Sequence, residues 1–303
     1  MKVHDNLSYA ERVREEIYMS RPSKNAHYLA FRYGLLMMGK RFDERVISIS
    51  TEHLTVSKLY GFAIKDTVGV RAAFTEHKTP RGNTLYSVAL TDLELISRIM
   101  KAFSHEDGII NRELVEESEL PQFLAGAFLA CATISDPSKG YHMEFLPPND
   151  EAADLLFELL STIGYPPKSS VRRGQTVLYY KESEPIEDIL AMIGAVKSSL
   201  SLMELKIYKD LRNRANRATN CETANIDKLI KTATKQIADI EYLEEKGLLD
   251  TLPSELKALA KLRVDHPDAS LAELASLSGA SRSGVNHRLK RIEQAAAEAR
   301  EKG

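Results

Sequence analysis

Along the first third of this chain, apolar residues recur at helical spacing and twice give way to short alternating runs. Asn6–Tyr18 sets Leu7, Val13, Ile17 and Tyr18 against Glu11, Arg14 and Glu15, which predicts an amphipathic helix ended by Pro22. Asn25–Met38, crowded with Leu29, Tyr33, Leu35, Leu36 and Met37, predicts a more apolar one. In Arg45–Ser50, Ile47 and Ile49 alternate with Ser48 and Ser50, as a half-buried strand requires. Thr55–Ile64 is helical again. Val68–Phe74 and Thr84–Leu90 are strand candidates, joined through Pro80 and Gly82 as a hairpin loop. Asp92–Phe103 predicts a helix capped by Thr91 or Asp92.

The same order then returns. Gln122–Thr133 is an apolar helix rich in small residues, and Tyr141–Phe145 is a strand. Asn149–Ile163 is a helix started by Asn149 or Asp150 and stopped by Gly164 and Pro166. Ser169–Arg173 and Thr176–Tyr180 form a hairpin about Gly174, and Pro185–Ile193 closes the set. Gly34 and Gly126 hold matching places 92 residues apart. Two such halves imply one pseudo-symmetric α+β domain. Its halves are expected at 1–104 and 105–200, joined by an acidic surface connector around Glu106–Leu120.

From Ser198 long helical patterns replace the strands. Leu205–Arg217 carries Lys206, Lys209, Arg212, Arg214 and Arg217 against Asp210 alone. The amide-dense stretch Asn216–Asn225 follows, then a long helix over Ile226–Leu243. These make a basic linker over 201–248. The final domain, 249–303, opens with a helix from Pro253 to Val264, and Pro267 breaks it.

Ser270–Ile292 then reads as two short helices with a tight turn. Leu271, Leu274 and Leu277 mark one apolar face, and Ala275 leaves room for a close helix crossing. Gly279 suits a turn needing positive φ, and Ser281 can cap the next helix. Val285, Leu289 and Ile292 form one buried stripe. Arg282, Ser283, Asn286, His287, Lys290 and Arg291 lie elsewhere on that helix. Ser281–Ile292 holds four fixed cations, counting Arg288, and no acid. A helix with its back in a core and a cationic, amide-bearing front suits the DNA major groove. Arg282, Asn286 and Lys290 are the candidates for base edges. Ser281, Ser283, His287 and Arg288 or Arg291 are those for phosphates. The plainer alternative is a helical hairpin whose basic face is merely solvated.

Composition narrows the rest. A chain of 303 residues is long enough for two or three domains with sizeable cores. Its net charge of −2 shows no global basic excess, so any charge for nucleic acid must be local. Two cysteines build no disulfide framework, and eight scattered histidines show no metal-ligand spacing. No cofactor or metal site is expected. Cys221 reads as a small buried residue, with no histidine near it in sequence to make it a nucleophile. The first residues lack the apolar core of a signal peptide, and no run of eighteen apolar residues suggests a membrane span. The expected compartment is the cytoplasm, in association with the nucleoid.

NRATNCETAN at Asn216–Asn225, followed by SRSGVNHRLKRI at Ser281–Ile292, resembles the WhiA family of bacterial regulators, linked to sporulation and cell division. The resemblance spans nearly the whole chain. It implies a degenerate LAGLIDADG homing-endonuclease-like domain followed by an all-α helix–turn–helix domain. It also implies a transcriptional regulator that binds double-stranded DNA at promoter sites. In the homing enzymes the final acid of the LAGLIDADG pattern holds the catalytic metal. Here Leu124–Ala132 occupies that pattern with Cys131 at the acid's place, and Gly39 falls at the equivalent place after Gly34. The resemblance therefore implies a scaffold without the chemistry. Asp136, just beyond, is a poor substitute ligand because one acid does not make a site.

Three further sets of residues complete the expectations. Arg212, Arg214, Asn216, Arg217, Asn220 and Asn225 suit either DNA or interdomain hydrogen bonds, since amides are costly to bury without partners. Lys78, Arg81, Arg172 and Arg173 at the two hairpins are solvated tips or, less favoured, a DNA-facing saddle. The rival functions are a residual metal-dependent nuclease and an interaction scaffold. In the latter the first domain docks RNA polymerase holoenzyme or another transcription regulator while the last tethers it to DNA.

Overall fold

The computed structural model describes residues 7–23, 26–80 and 82–302, in two compact units, Met1–Lys209 and Asp210–Gly303. Asn6 and Asn25, where two helices were expected to start, and Arg81 lie outside the described residues.

In the N-terminal unit, α1 (Tyr9–Ser20) starts at Ser8, whose hydroxyl accepts the Glu11 N–H while Glu11 reaches back to the Ser8 N–H. The first half continues with α2 (Ala26–Met37), β1 (Arg41–Phe42), β2 (Ile47–Thr51), α3 (Leu54–Val68), β3 (Ala73–Lys78), β4 (Thr84–Leu90) and α4 (Leu93–Ala102). The second repeats this as α5 (Leu120–Cys131), β5 (Ala132–Ile134), β6 (Met143–Phe145), α6 (Asp150–Thr162), β7 (Lys168–Arg172), β8 (Gln175–Tyr180) and α7 (Ser183–Met192). The two antiparallel sheets have the same strand order, β1-β2-β4-β3 and β5-β6-β8-β7. The expected duplication is therefore present.

Several boundaries differ from expectation, and the strand expected at Val68–Phe74 lies at Ala73–Lys78. Val68 closes α3 instead of opening a strand, because it is buried with that helix and Gly69 then turns left-handed. Ala132 and Thr133 leave α5 to pair with Phe145 and Glu144. The acidic connector lies only partly on the surface: Leu114 and Val115 pin it into the core.

The α2–α5 pair forms the axis of this unit. Both helices are apolar all round because each is buried on most sides. They touch backbone to backbone. A Cβ on Gly34 would lie 2.1 Å from the Phe123 carbonyl oxygen, and one on Gly126 2.1 Å from that of Phe31. Small residues at these two points let the halves meet.

The C-terminal unit is helical. The helix α8 (Val196–Glu245) runs unbroken for 50 residues, crossing the division between the units. The amide-dense stretch Asn216–Asn225, which lies between two helical patterns in the sequence, is itself helical throughout. After it come α9 (Ser254–Asp265), α10 (Leu271–Ser278) and α11 (Arg282–Lys302). Ile240 and Leu243 of α8 join Leu256, Leu259, Leu274, Val285, Leu289 and Ile292 in one core. Gln236–Glu293 (3.0 Å) and Asp239–Arg300 (2.5 Å) tie α8 to α11.

Candidate nucleic-acid interface

The turn between α10 and α11 is built from the residues expected to make it. Ser270 and Glu273 form a capping box at the start of α10, and Gly279 ends it at φ 67°. The Ser281 hydroxyl accepts the Gly284 N–H (3.1 Å) and lies 3.1 Å from the Ser283 hydroxyl, which starts α11. Upstream, Arg263 is buried and its Nη2 reaches the carbonyl oxygens of His266 (2.7 Å), Pro267 (2.8 Å) and Ala269 (2.7 Å). Burial pulls its pKa down and Asp268 opposes this. One guanidinium thus holds the α9–α10 corner.

On α11, Val285, Leu289 and Ile292 are buried as expected. Arg282, Asn286 and Lys290 are exposed and, at four-residue spacing, form one ridge; Ser283, His287 and Arg291 form the next. No acid interrupts either ridge. Arg288 and Arg291 share a flank with Glu255 of α9: Arg288 Nη2 lies 2.9 Å and Arg291 Nη1 3.7 Å from its carboxylate. Glu255 was invisible as a site residue, because it stands more than thirty positions upstream with no motif to mark it. Leu277 was expected beside Leu271 and Leu274 but is 54% exposed. Three-residue steps drift about 60° each around a helix, and the buried face centres on Leu274 and Ala275.

The amide-dense stretch has no buried partner. Residues 210–228 are all exposed on α8. Cys221, expected in a core, is exposed. Asn225 donates only to the Cys221 sulfur, at 3.8 Å. Lys206 pairs with Glu187 and Lys209 with the Pro137 carbonyl, whereas Arg212, Arg214 and Arg217 have no ion pair among the described residues. Asparagine and threonine cost a helix about 0.5–0.7 kcal/mol each relative to alanine. Asn213, Asn216, Thr219, Asn220, Thr223 and Asn225 are therefore here at the expense of helix stability, with no burial to compensate.

At Gly39 and Cys131, the chain offers little to a cation. A Cβ on Gly39 would meet the Ser48 carbonyl oxygen at 2.7 Å and the Tyr60 hydroxyl at 2.6 Å, so a carboxylate side chain has no room there. Burial pushes the Cys131 thiol up to about 12, which keeps it protonated near neutrality. Asp136 is exposed and caps a turn through the Ser138 N–H (2.8 Å); the Ser138 side chain and then this N–H hold its pKa below the usual carboxylate range. No cluster of three histidine, cysteine, aspartate or glutamate side chains fit for a metal ion occurs among the described residues. At the hairpins, Arg172 is taken up by Glu144 (2.8 Å), which also meets His142, and Lys78 bonds Thr84. Among the described residues, no helix is long and apolar enough to cross a membrane.

Two family models match the chain: the WhiA LAGLIDADG-like domain at residues 120–212 and the WhiA C-terminal HTH domain at 215–296. A probable cell division protein WhiA from Thermoanaerobacter sp. (strain X514) is 37% identical over 265 residues, 82% of each chain. One from Clostridium acetobutylicum is 34% identical over 269 residues, 84% of this chain and 85% of that one. The crystal structure of full-length DUF199/WhiA from Thermotoga maritima matches with a TM-score of 0.55 at 19% identity, covering 96% of this chain and 99% of that one. A duplicated LAGLIDADG-like α+β domain followed by a helix–turn–helix unit defines the class: a DNA-binding protein on a LAGLIDADG-like scaffold. Within that class, the chain belongs to the WhiA family.

Proposed function

We propose that this chain is a sequence-specific transcriptional regulator of cell-division or sporulation genes, acting in the cytoplasm at the nucleoid, and that its LAGLIDADG-like domain has lost endonuclease activity. The supporting observation is the exposed ridge Arg282–Asn286–Lys290, set rigidly by buried Val285, Leu289 and Ile292. Arginine fits guanine and asparagine fits adenine in the major groove. Ser281, Ser283, His287 and Arg291 take phosphates beside it and set register. Arg288 lies on the Glu255 flank, where its charge is already met, so its part is to hold α11 against α9.

Duplexes selected by the full-length chain from a random pool provide the test. Asn286→Ala is expected to lose about 1–3 kcal/mol of discrimination at one base position and little elsewhere. Arg291→Ala is expected to weaken binding to all sequences and to lower the salt slope by about one. A uniform loss across sequences in Asn286→Ala rules out its base-reading role.

Loss of the nuclease rests on ligand chemistry. Two-metal phosphodiester cleavage needs hard oxygen ligands on both sides of the scissile bond. Gly39 and a protonated Cys131 supply none. Supercoiled plasmid incubated with the chain and Mg²⁺ or Mn²⁺ is expected to stay intact. Nicking that disappears in Asp136→Ala revives the enzyme reading.

A further inference from the structure

The exposed middle of α8 has two unlike sides. At 100° per residue, Arg212, Asn213, Asn216, Arg217 and Asn220 share one side, with Thr219 and Thr223 at its border. Leu211, Ala215, Ala218 and Ile226 lie on the other. The first side carries two guanidinium groups without ion pairs among the described residues, three carboxamides and no acid between residues 211 and 221; Asp227, two turns beyond Asn220, is an acid on that side. Within it, Arg217 Nε donates to the Asn213 carbonyl oxygen (3.3 Å).

We propose that Arg212, Asn213, Asn216, Arg217 and Asn220 form a second DNA-contacting ridge, which engages duplex flanking the site reached by α11. This rests on the reading of α11 as a DNA-binding helix. Charge complementarity favours duplex phosphates, and carboxamides add donors to both phosphate and groove edges. A protein partner is disfavoured because the ridge lacks the aromatic and aliphatic anchors of protein interfaces; the large apolar residues are on the opposite side. Reach also fits. Ile240 is packed in the helix–turn–helix core, and at 1.5 Å per residue the span from Asn220 to Arg212 lies about 30–42 Å back along the same helix. One duplex turn is about 34–36 Å.

The experiment measures binding of the full-length chain to a selected duplex by fluorescence anisotropy across a salt series. The long duplex carries more than one helical turn on each side of the site; trimmed versions lack one flank or the other. In R212Q/R217Q glutamine keeps the helix propensity, and in N216A/N220A alanine raises it, so helix loss explains neither result. R212Q/R217Q is expected to bind the long duplex at least tenfold more weakly, with a salt slope lower by about two. N216A/N220A is expected to weaken it severalfold. Both differences should vanish on one of the trimmed duplexes. Affinity and slope within twofold of the parent overturn the proposal, as does a loss that persists on both trimmed duplexes. Unchanged DNA binding with weakened capture of RNA polymerase holoenzyme assigns the ridge to a protein and also overturns it. Asn286→Ala is the internal reference. If it acts while the ridge variants do not, only the ridge fails; if no duplex is selected at all, the reading of α11 fails with it.

Discussion

Gly126→Ala is expected to destabilise the N-terminal unit by about 3 kcal/mol or more, beyond the usual range for overpacking. For a unit of this size that lowers its thermal midpoint by about 6–12 °C. The added methyl would sit 2.1 Å from the Phe31 carbonyl oxygen and 2.6 Å from the Leu35 nitrogen. Both are backbone atoms of α2, so no side chain can swing aside. Either the two helices separate, opening the buried contacts of Phe31, Leu35 and Phe123, or the substituted chain does not fold. Gly61→Ala supplies the contrast. It too lies in a helix, but its new methyl meets only Val88 Cγ1 at 3.9 Å, an ordinary contact. That variant is expected to gain up to about 1 kcal/mol from helix propensity. Calorimetry of both decides the matter: equal midpoints would mean that α2 and α5 do not meet at their glycines.

Arg263→Met is the second large effect, and it joins stability to DNA binding. Methionine fills similar space but removes the guanidinium from three carbonyl oxygens at the α9–α10 corner, of which that of His266 keeps the Ala269 N–H (3.2 Å). An unmet carbonyl costs about 1–3 kcal/mol when fully buried, and water recovers part of that at these part-buried positions. A net loss of about 3 kcal/mol is expected, and with it a shift of α10 that misplaces the Arg282–Asn286–Lys290 ridge. Affinity for a selected duplex should fall by more than tenfold, along with the thermal transition of the C-terminal unit. Parental stability in this variant would show that the corner holds without the guanidinium.

Much of this was legible in the chain because the signals are local. A capping serine, a left-handed glycine and a buried stripe at i, i+4 and i+7 place α10 and α11 without outside help. The repeat was legible because both halves use the same element order and the same glycine. What escaped depends on residues far apart in sequence. Glu255 meets Arg288 and Arg291 only because α9 packs beside α11. Cys221 has a composition suited to a core, yet its helix runs through solvent where no second element covers it. Poor helix formers at Asn216–Asn225 left that stretch without an assigned element, but helical segments on both sides carry the chain through.

The amino-acid sequence by itself determined the duplicated α+β plan, the helix–turn–helix, the family, and the absence of carboxylates where a metal would be held. These follow from spacing, from turn chemistry and from residue identity at single positions. Tertiary structure decided that Gly39 is walled in as well as bare, that Arg288 meets Glu255, and that the amide-rich stretch is helical and exposed. Those outcomes turn on which distant backbones and charges come within a few ångströms, and chain order carries no record of that distance.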